Sequence, residues 1–191
     1  MTFDDGPHPQ GTPAVLEALA RGNARATFFL VGEQAERHPR LVGELLAAGH
    51  EVAVHGYRHR CQLRLTPAAV GADVERALEV IGGLCNRAPR RYRPPYGAFT
   101  LAGLRAVRKA GLEPLLWSRW GRDWRARTGA PEIARLVTRE LRTGDVVLLH
   151  DADTYCDPRS WRHTVAALPA ILAAIEERGL KAVTVSESSA R

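Results

Sequence analysis

Apolar and polar positions along this chain fall into blocks of two kinds. Short runs that are apolar almost throughout suit strands covered on both faces. Longer stretches with apolar residues three and four apart suit helices packed by one side. Residues 26–32 (ATFFLVG), 50–55 (HEVAVH), 91–93 (RYR), 113–118 (EPLLWS), 145–150 (DVVLLH) and 181–186 (KAVTVS) read as strands, with a stub at 2–4. Between them the spacing predicts helices at about 38–48, from Thr66 to Leu84, after Thr100, over 131–141 and over 164–178. Thr66 and Thr100 stand at N-cap positions and Pro67 at a first helical position. Gly49 and Gly179 follow helix ends, where a left-handed residue is favoured.

Strands alternating with helices imply an α/β fold with a parallel sheet, either open and doubly wound or curled into a barrel. The polar residues choose between them. Asp4 and Asp5 follow the first strand, His55 ends the third, Arg93 the fourth, Asp123 lies beyond the fifth and His150 ends the sixth. Sites of parallel α/β folds are built at the C-terminal ends of strands. Across an open sheet at ~4.8 Å per strand, these contributions would spread over ~20 Å. In a barrel they converge on one mouth. The expectation is a distorted (β/α) barrel of about seven parallel strands. Its first strand is cut short, since a strand of ~5 residues would begin several positions before Phe3.

The length of 191 residues, with 45% hydrophobic and 25% charged, suits a single domain over residues 1–191 with a real core. No apolar run approaches the ~18 residues of a membrane span, and no signal peptide is visible. The literal reading is a cytoplasmic monomer, or a secreted or cell-envelope protein if the N-terminus is trimmed. Cys61, Cys85 and Cys156 form no CxxC pair, so neither a disulfide framework nor a thiolate metal site is indicated. The net charge of +6 rests almost wholly on dispersed arginines, with only Lys109 and Lys181 as lysines. There is no basic tail and no nucleic-acid motif, which argues against nucleic acid as a partner.

Two short stretches carry the candidate chemistry. In TFDDGP, adjacent Asp4 and Asp5 repel each other and need a cation to be tolerated together, unless they are simply a solvated turn. In HGYRH, a helical turn after His55 would set His55 and His59 on one face, able to hold one metal at about 2.0–2.1 Å. Two histidines plus one carboxylate, from either aspartate, make a zinc set that leaves a position for water.

TFDDGP, HGYRH, RPPYG, RDW and LLH, in this order, resemble the five sequence blocks of the NodB-type polysaccharide deacetylases, carbohydrate esterase family 4. The connecting segments resemble that family too, so the similarity covers nearly the whole chain. The resemblance implies a barrel with fewer than eight strands. It implies a metal-dependent hydrolase that removes the N-acetyl group from an N-acetylated amino sugar, with Zn2+ or Co2+ as cofactor. It makes Asp5, His55 and His59 the metal ligands, Asp4 the general base and His150 the general acid. Arg93 would hold Asp4 ionised, Asp123 would orient His150, and the Tyr96 N–H would bind the oxyanion. Pro94 and Tyr96 would contact substrate, with Trp124 and Leu148 walling the acetyl methyl. Two positions depart from the pattern: Gly56 replaces a usual Ser or Thr, and Trp120 a usual acidic residue. The alternatives are a deformylase or other non-peptide C–N hydrolase on the same scaffold, a sugar-binding module on an inactive one, and a basic nucleic-acid binder.

The remaining chemistry-bearing residues have blander readings. His8, His38, His50 and His163 read as surface or cap residues, Tyr57, Trp120, Tyr155 and Trp161 as core or rim fillers, and Asp151 and Asp153 as loop residues. Arg58, Arg60 and Arg64 read as a solvated face. Arg119, Arg122, Arg125 and Arg127, in loop 119–127 around Asp123, raise the expectation of a rim that receives an anionic substrate group.

Overall fold

The computed structural model describes residues 1–189. Seven strands, β1 (Thr2–Asp4), β2 (Thr27–Leu30), β3 (Glu51–Val54), β4 (Arg91–Tyr92), β5 (Glu113–Pro114), β6 (Arg119–Trp120) and β7 (Val147–His150), form one parallel sheet in the order β5-β4-β3-β2-β1-β7-β6. Its helices are α1 (Gly11–Arg21), α2 (Gly32–Arg37), α3 (Pro39–Ala47), α4 (Pro67–Gly83), α5 (Leu101–Lys109), α6 (Ala130–Thr138), α7 (Ser160–Glu177) and α8 (Val185–Ser189).

The apolar runs became the buried strands. Phe3, Phe28, Phe29, Leu30 and Leu149 are fully buried, and the rings of Phe3 and Phe28 stack at 5.1 Å. Helix starts follow the predicted caps: the Thr66 side chain accepts from Ala69 N–H at 3.2 Å, and that of Thr100 from Gly103 N–H at 2.9 Å. Register fixes what matters for a site, since Asp4 of β1 lies opposite His150 of β7 on one side and Phe29 of β2 on the other.

The sheet curls into the expected distorted barrel, but its strand membership differs in two places. The run 113–118 is not one strand. Residues 113–114 pair with β4, residues 119–120 pair with β7, and 115–118 cross the seam between the two sheet edges. Backbone groups in such a crossing need partners outside the ladder. Arg93 supplies two of them, donating from Nε to Leu115 O (3.3 Å) and from Nη2 to Leu116 O (3.2 Å).

The other correction concerns residues 181–186, which are not a strand. Thr184 and Glu187 form a capping box: the Glu187 carboxylate accepts from Thr184 N–H at 3.0 Å, and the Thr184 hydroxyl accepts from Glu187 N–H at 3.2 Å. This reciprocal pair starts α8 and overrides the alternating pattern. Besides α8, helices α1 and α2 have no counterpart in the sequence pattern as read, although Val15, Ala18 and Leu19 bury one face of α1.

Candidate active site

The two aspartates reach one cavity because the chain breaks at the end of β1. Asp4 is the last strand residue, and Asp5 takes a left-handed φ of 77°, which turns its side chain to the side Asp4 already faces. A strand would have sent them to opposite faces.

His55 and His59 are brought together by a bend, not by the helical turn that their spacing suggests. Gly56 has φ 83°, and the space a Cβ would take there is held by the Asp73 carboxylate. That buried carboxylate, projecting from α4, accepts from Tyr57 N–H (2.9 Å) and Arg58 N–H (3.3 Å) and pairs with Arg60 at 3.1 Å. The Gly56 departure therefore goes with an anchor from another element, and Arg60, exposed as expected of a solvated face, is also tied to that anchor. Asp73 sits on the same stripe as Val70, Val74, Ala77 and Ile81, so a carboxylate at helical spacing with buried apolar residues was the available signal.

The imidazoles converge on Asp5. His55 donates from Nδ1 to Arg93 O at 2.8 Å, leaving Nε2 at 3.4 Å from Asp5 Oδ1. His59 Nε2 is 3.2 Å from the same oxygen, and its ring lies between Tyr155, stacked at 4.4 Å, and Tyr96 at 4.6 Å. Asp5 Oδ1 is buried with no hydrogen-bond donor. Burial opposes ionisation of Asp5, but the two imidazoles hold its carboxyl well below the usual range. An orphaned carboxylate oxygen facing two imidazole nitrogens, all three ligand atoms within 4.8 Å, fits a divalent metal. The donation from His55 to a backbone carbonyl is the usual way an outer partner fixes a ligand tautomer.

Asp4 is held differently. Arg93, fully buried, donates from Nη1 to Asp4 Oδ1 at 2.6 Å and to Thr2 Oγ1 at 2.9 Å, and its guanidinium lies 4.0 Å from the centre of the Phe29 ring. Across the cavity His150 donates from Nδ1 to Asp123 Oδ1 at 3.0 Å. Asp123, fully buried, also accepts at Oδ2 from His150 N–H (2.7 Å) and the Thr164 hydroxyl (2.8 Å). Burial alone would lower the imidazole pKa, but the Asp123 carboxylate, with Asp5 and Asp4 beyond it, pushes His150 up to about 10.

The cavity has a volume of about 250 Å³ and is walled by Asp4, Asp5, both ligand-type histidines, His150, Leu148, Tyr96 and Trp124. Tyr96, at φ 62°, is exposed at its rim. Arg93 and Asp123 stand behind the wall and touch it through Asp4 and His150. Pro94 is buried outside the lining, where its carbonyl accepts from Gly97 N–H at 2.9 Å. A larger cavity of about 590 Å³ lies at the opposite strand ends, around Thr2, Arg91 and Val147, and contains none of these groups.

Several residues read as bland at the sequence level belong to this neighbourhood. Tyr155, placed among the fillers, stacks on His59, with its hydroxyl donating to Glu33 at 2.7 Å. Trp117 and Trp120 join Trp124 in the wall as a ladder with centroids 6.0 and 5.3 Å apart. Cys156 also lines the cavity, and its thiol donates to Asp5 Oδ2 at 3.5 Å. Burial and the Asp5 carboxylate raise the thiol above its ordinary pKa. Asp151 lies in the loop after β7 as read, but it is fully buried and accepts from the Thr12 hydroxyl; burial pushes it up to about 7. His8 is a cap, accepting from Gly11 N–H at 2.9 Å, whereas His50 is buried and accepts from Ala26 N–H at 3.2 Å.

The arginine rim is smaller than expected. Arg119 is consumed by Asp145 at 3.0 Å and by the carbonyls of Arg139 and Glu140. Arg122 and Arg125 are exposed beside the rings of Trp120 and Trp124, at 5.4 and 5.9 Å.

Known proteins share this arrangement of chain and fold. The family described as polysaccharide deacetylase matches residues 1–115, more than half of the chain. A chitooligosaccharide deacetylase from Bradyrhizobium sp. (strain ANU 289) is 40% identical over 95% of this chain and 85% of its own. A peptidoglycan-N-acetylglucosamine deacetylase from Bacillus cereus is 37% identical over 98% of this chain and 85% of its own. The solved structure of a family 4 carbohydrate esterase from Streptomyces lividans, in complex with acetate, superposes with a TM-score of 0.85 at 32% identity, over 95% of this chain and 88% of that one. With a family match over more than half its length and relatives above one-third identity along nearly all of it, the chain belongs to the polysaccharide deacetylases.

Proposed function

We propose that this protein is a metal-dependent N-deacetylase that hydrolyses the acetamido group of an N-acetylated amino sugar, in a polysaccharide, glycolipid or small glycoconjugate. The observation that carries the proposal is the orphaned Asp5 oxygen facing two imidazoles, flanked by a carboxylate on an arginine and a histidine on a carboxylate. Relatives named for chitooligosaccharide and for peptidoglycan N-acetylglucosamine support the substrate class.

Asp5, His55 and His59 hold the metal; two nitrogens and one oxygen suit Zn2+ or Co2+. Bound there, it supplies Lewis acidity toward the acetyl carbonyl and lowers the pKa of water. Arg93 occupies Oδ1 of Asp4, so Oδ2 is the oxygen that accepts the proton of the attacking water. His150, protonated through Asp123, gives its proton to the sugar nitrogen as the C–N bond breaks. The Tyr96 N–H donates to the carbonyl oxygen, and Trp124 and Leu148 enclose the methyl. The products are acetate and the free amine.

The test is acetate release from a panel of N-acetylated sugars by chain stripped of metal and reloaded with Zn2+ or Co2+, beside the N-formyl analogues. Acetate release that needs the metal supports the reading. Faster formate than acetate release would move the assignment to a deformylase, and no turnover on any N-acyl sugar would overturn it.

A further inference from the structure

The two oxygens of Asp5 serve different neighbours. Oδ1 faces His55 and His59, while Oδ2 accepts from Cys156. Asp5, His150 and Cys156 each offer a ligand atom within 4.8 Å of the others. His150 spends Nδ1 on Asp123 and so turns Nε2 to the cavity that all three residues line. Oxygen, nitrogen and sulfur thus converge beside the first metal set, with the sulfur on the Asp5 oxygen that does not face the His55 and His59 imidazoles.

We propose that Asp5, His150 and Cys156 form a second divalent-metal site, selective for Zn2+ or Cd2+, whose occupation switches the enzyme off. Asp5 bridges, with one oxygen to each ion, as in two-metal sites whose ions lie ≈ 3.5–4 Å apart. Zinc–nitrogen and zinc–sulfur distances of about 2.0 and 2.3 Å put tetrahedral ligand atoms about 3.5 Å apart. Cys156 Sγ already stands 3.5 Å from Asp5 Oδ2, so the contraction that binding needs, about 1 Å at most, falls on the distances to His150. Thiolate and imidazole favour zinc and cadmium over magnesium and manganese. On binding, the Cys156 thiol and the His150 Nε2 each lose a proton to solvent. Two cations then meet the charges of Asp4, Asp5 and the thiolate. The ion occupies the nitrogen that Proposed function gives to the acid, so inhibition rests on that reading, whereas the binding itself does not.

The experiment loads the full chain with one equivalent of Zn2+, then titrates further Zn2+ or Cd2+. It reads bound metal after dialysis, the ultraviolet thiolate-to-metal band with Cd2+, and acetate release. The expected result is two equivalents bound, a thiolate band that grows only with the second, and at least a tenfold loss of turnover as it fills. Mg2+ should leave all three readings unchanged. Cys156→Ser should bind the first equivalent, showing that it is folded, but lose the band and the second equivalent. Its turnover at excess Zn2+ should equal its own turnover at one equivalent. A thiolate band that saturates with the first equivalent would overturn the proposal, because Cys156 would then ligate the first metal. So would excess-zinc inhibition that persists in Cys156→Ser, or a wild-type stoichiometry fixed at one. Two equivalents with the band but no turnover on any N-acyl sugar would sink the proposed activity and leave the site standing.

Discussion

Asp4→Asn separates the two aspartates most sharply. The substitution removes one negative charge and keeps the side-chain shape, including an oxygen that can still accept from Arg93. What it leaves is a fully buried guanidinium whose remaining partners, Thr2 Oγ1, Leu115 O and Leu116 O, are all neutral. Removing one member of a buried ion pair costs 3–5 kcal/mol; with the hydrogen bond retained, the low end of about 3 kcal/mol is expected. At ~2–4 °C per kcal/mol for a chain of this size, the melting temperature should fall by about 6–12 °C. Loss of a general base should cut turnover by roughly 10²–10⁴. Metal content should hold, because Asp5, His55 and His59 are untouched. The assay compares Asp4→Asn with His59→Ala in bound metal, acetate release and thermal melting. If Asp4→Asn lost metal as severely as His59→Ala, the division of labour between Asp4 and Asp5 would be wrong. A melting temperature unchanged from wild type would refute the buried-pair reasoning on its own.

Asp123→Asn removes the main group raising the His150 pKa, so the high-pH limb of turnover should move down toward the ordinary histidine range of about 6.5. The same shift governs stability: a raised folded-state pKa stabilises fully below about 6.5 and is lost as pH rises through about 10, so wild type and variant should differ in melting temperature most at low pH and converge above that window. Arg93→Lys keeps a charge beside Asp4 but cannot span both the carboxylate and the seam carbonyls, so stability should fall by about 1–3 kcal/mol for carbonyls left unpaired while metal content holds; unchanged stability in a denaturant melt would remove Arg93 from the closure of the sheet. Arg122→Ala with Arg125→Ala should leave turnover on neutral chitooligosaccharides unchanged and weaken any salt-sensitive preference for phosphorylated or uronate-bearing N-acetyl sugars. Equal, salt-insensitive turnover on both sets would leave these arginines as surface.

The parts legible in the sequence were those whose cause is local. Buried strands read as apolar runs, the caps at Thr66 and Thr100 as hydroxyls before helical periodicity, and the site as polar residues at the ends of such runs. The misreadings came where a local pattern met a stronger partner. KAVTVS alternates like a strand, but Thr184 and Glu187 satisfy each other's backbone and start a helix instead. EPLLWS is apolar enough for one strand, yet it crosses from one sheet edge to the other. Four-residue spacing suggested a helical turn for His55 and His59, where a left-handed glycine and the Asp73 carboxylate set the bend. Cys156 gave no signal at all, because a cysteine count looks for pairs in sequence and its partner lies 151 residues away.

Arg93 explains why the barrel and the chemistry are hard to vary separately. A parallel sheet that stops short of full pairing leaves carbonyls at its seam, and a fork of fixed geometry can reach two of them while its other nitrogen holds a carboxylate. A lysine, with one compact ammonium, would serve one task or the other. Burial of the guanidinium against Phe29 then makes the Asp4 charge a structural requirement, since the pair can lose neither member cheaply. Under the proposed function, the repulsion within the opening Asp-Asp pair would be resolved twice over, by Arg93 on one side and by a metal held on Asp5, His55 and His59 on the other. Each aspartate would then be committed to a different cation, which would leave the free oxygen of Asp4 as the group able to take a proton.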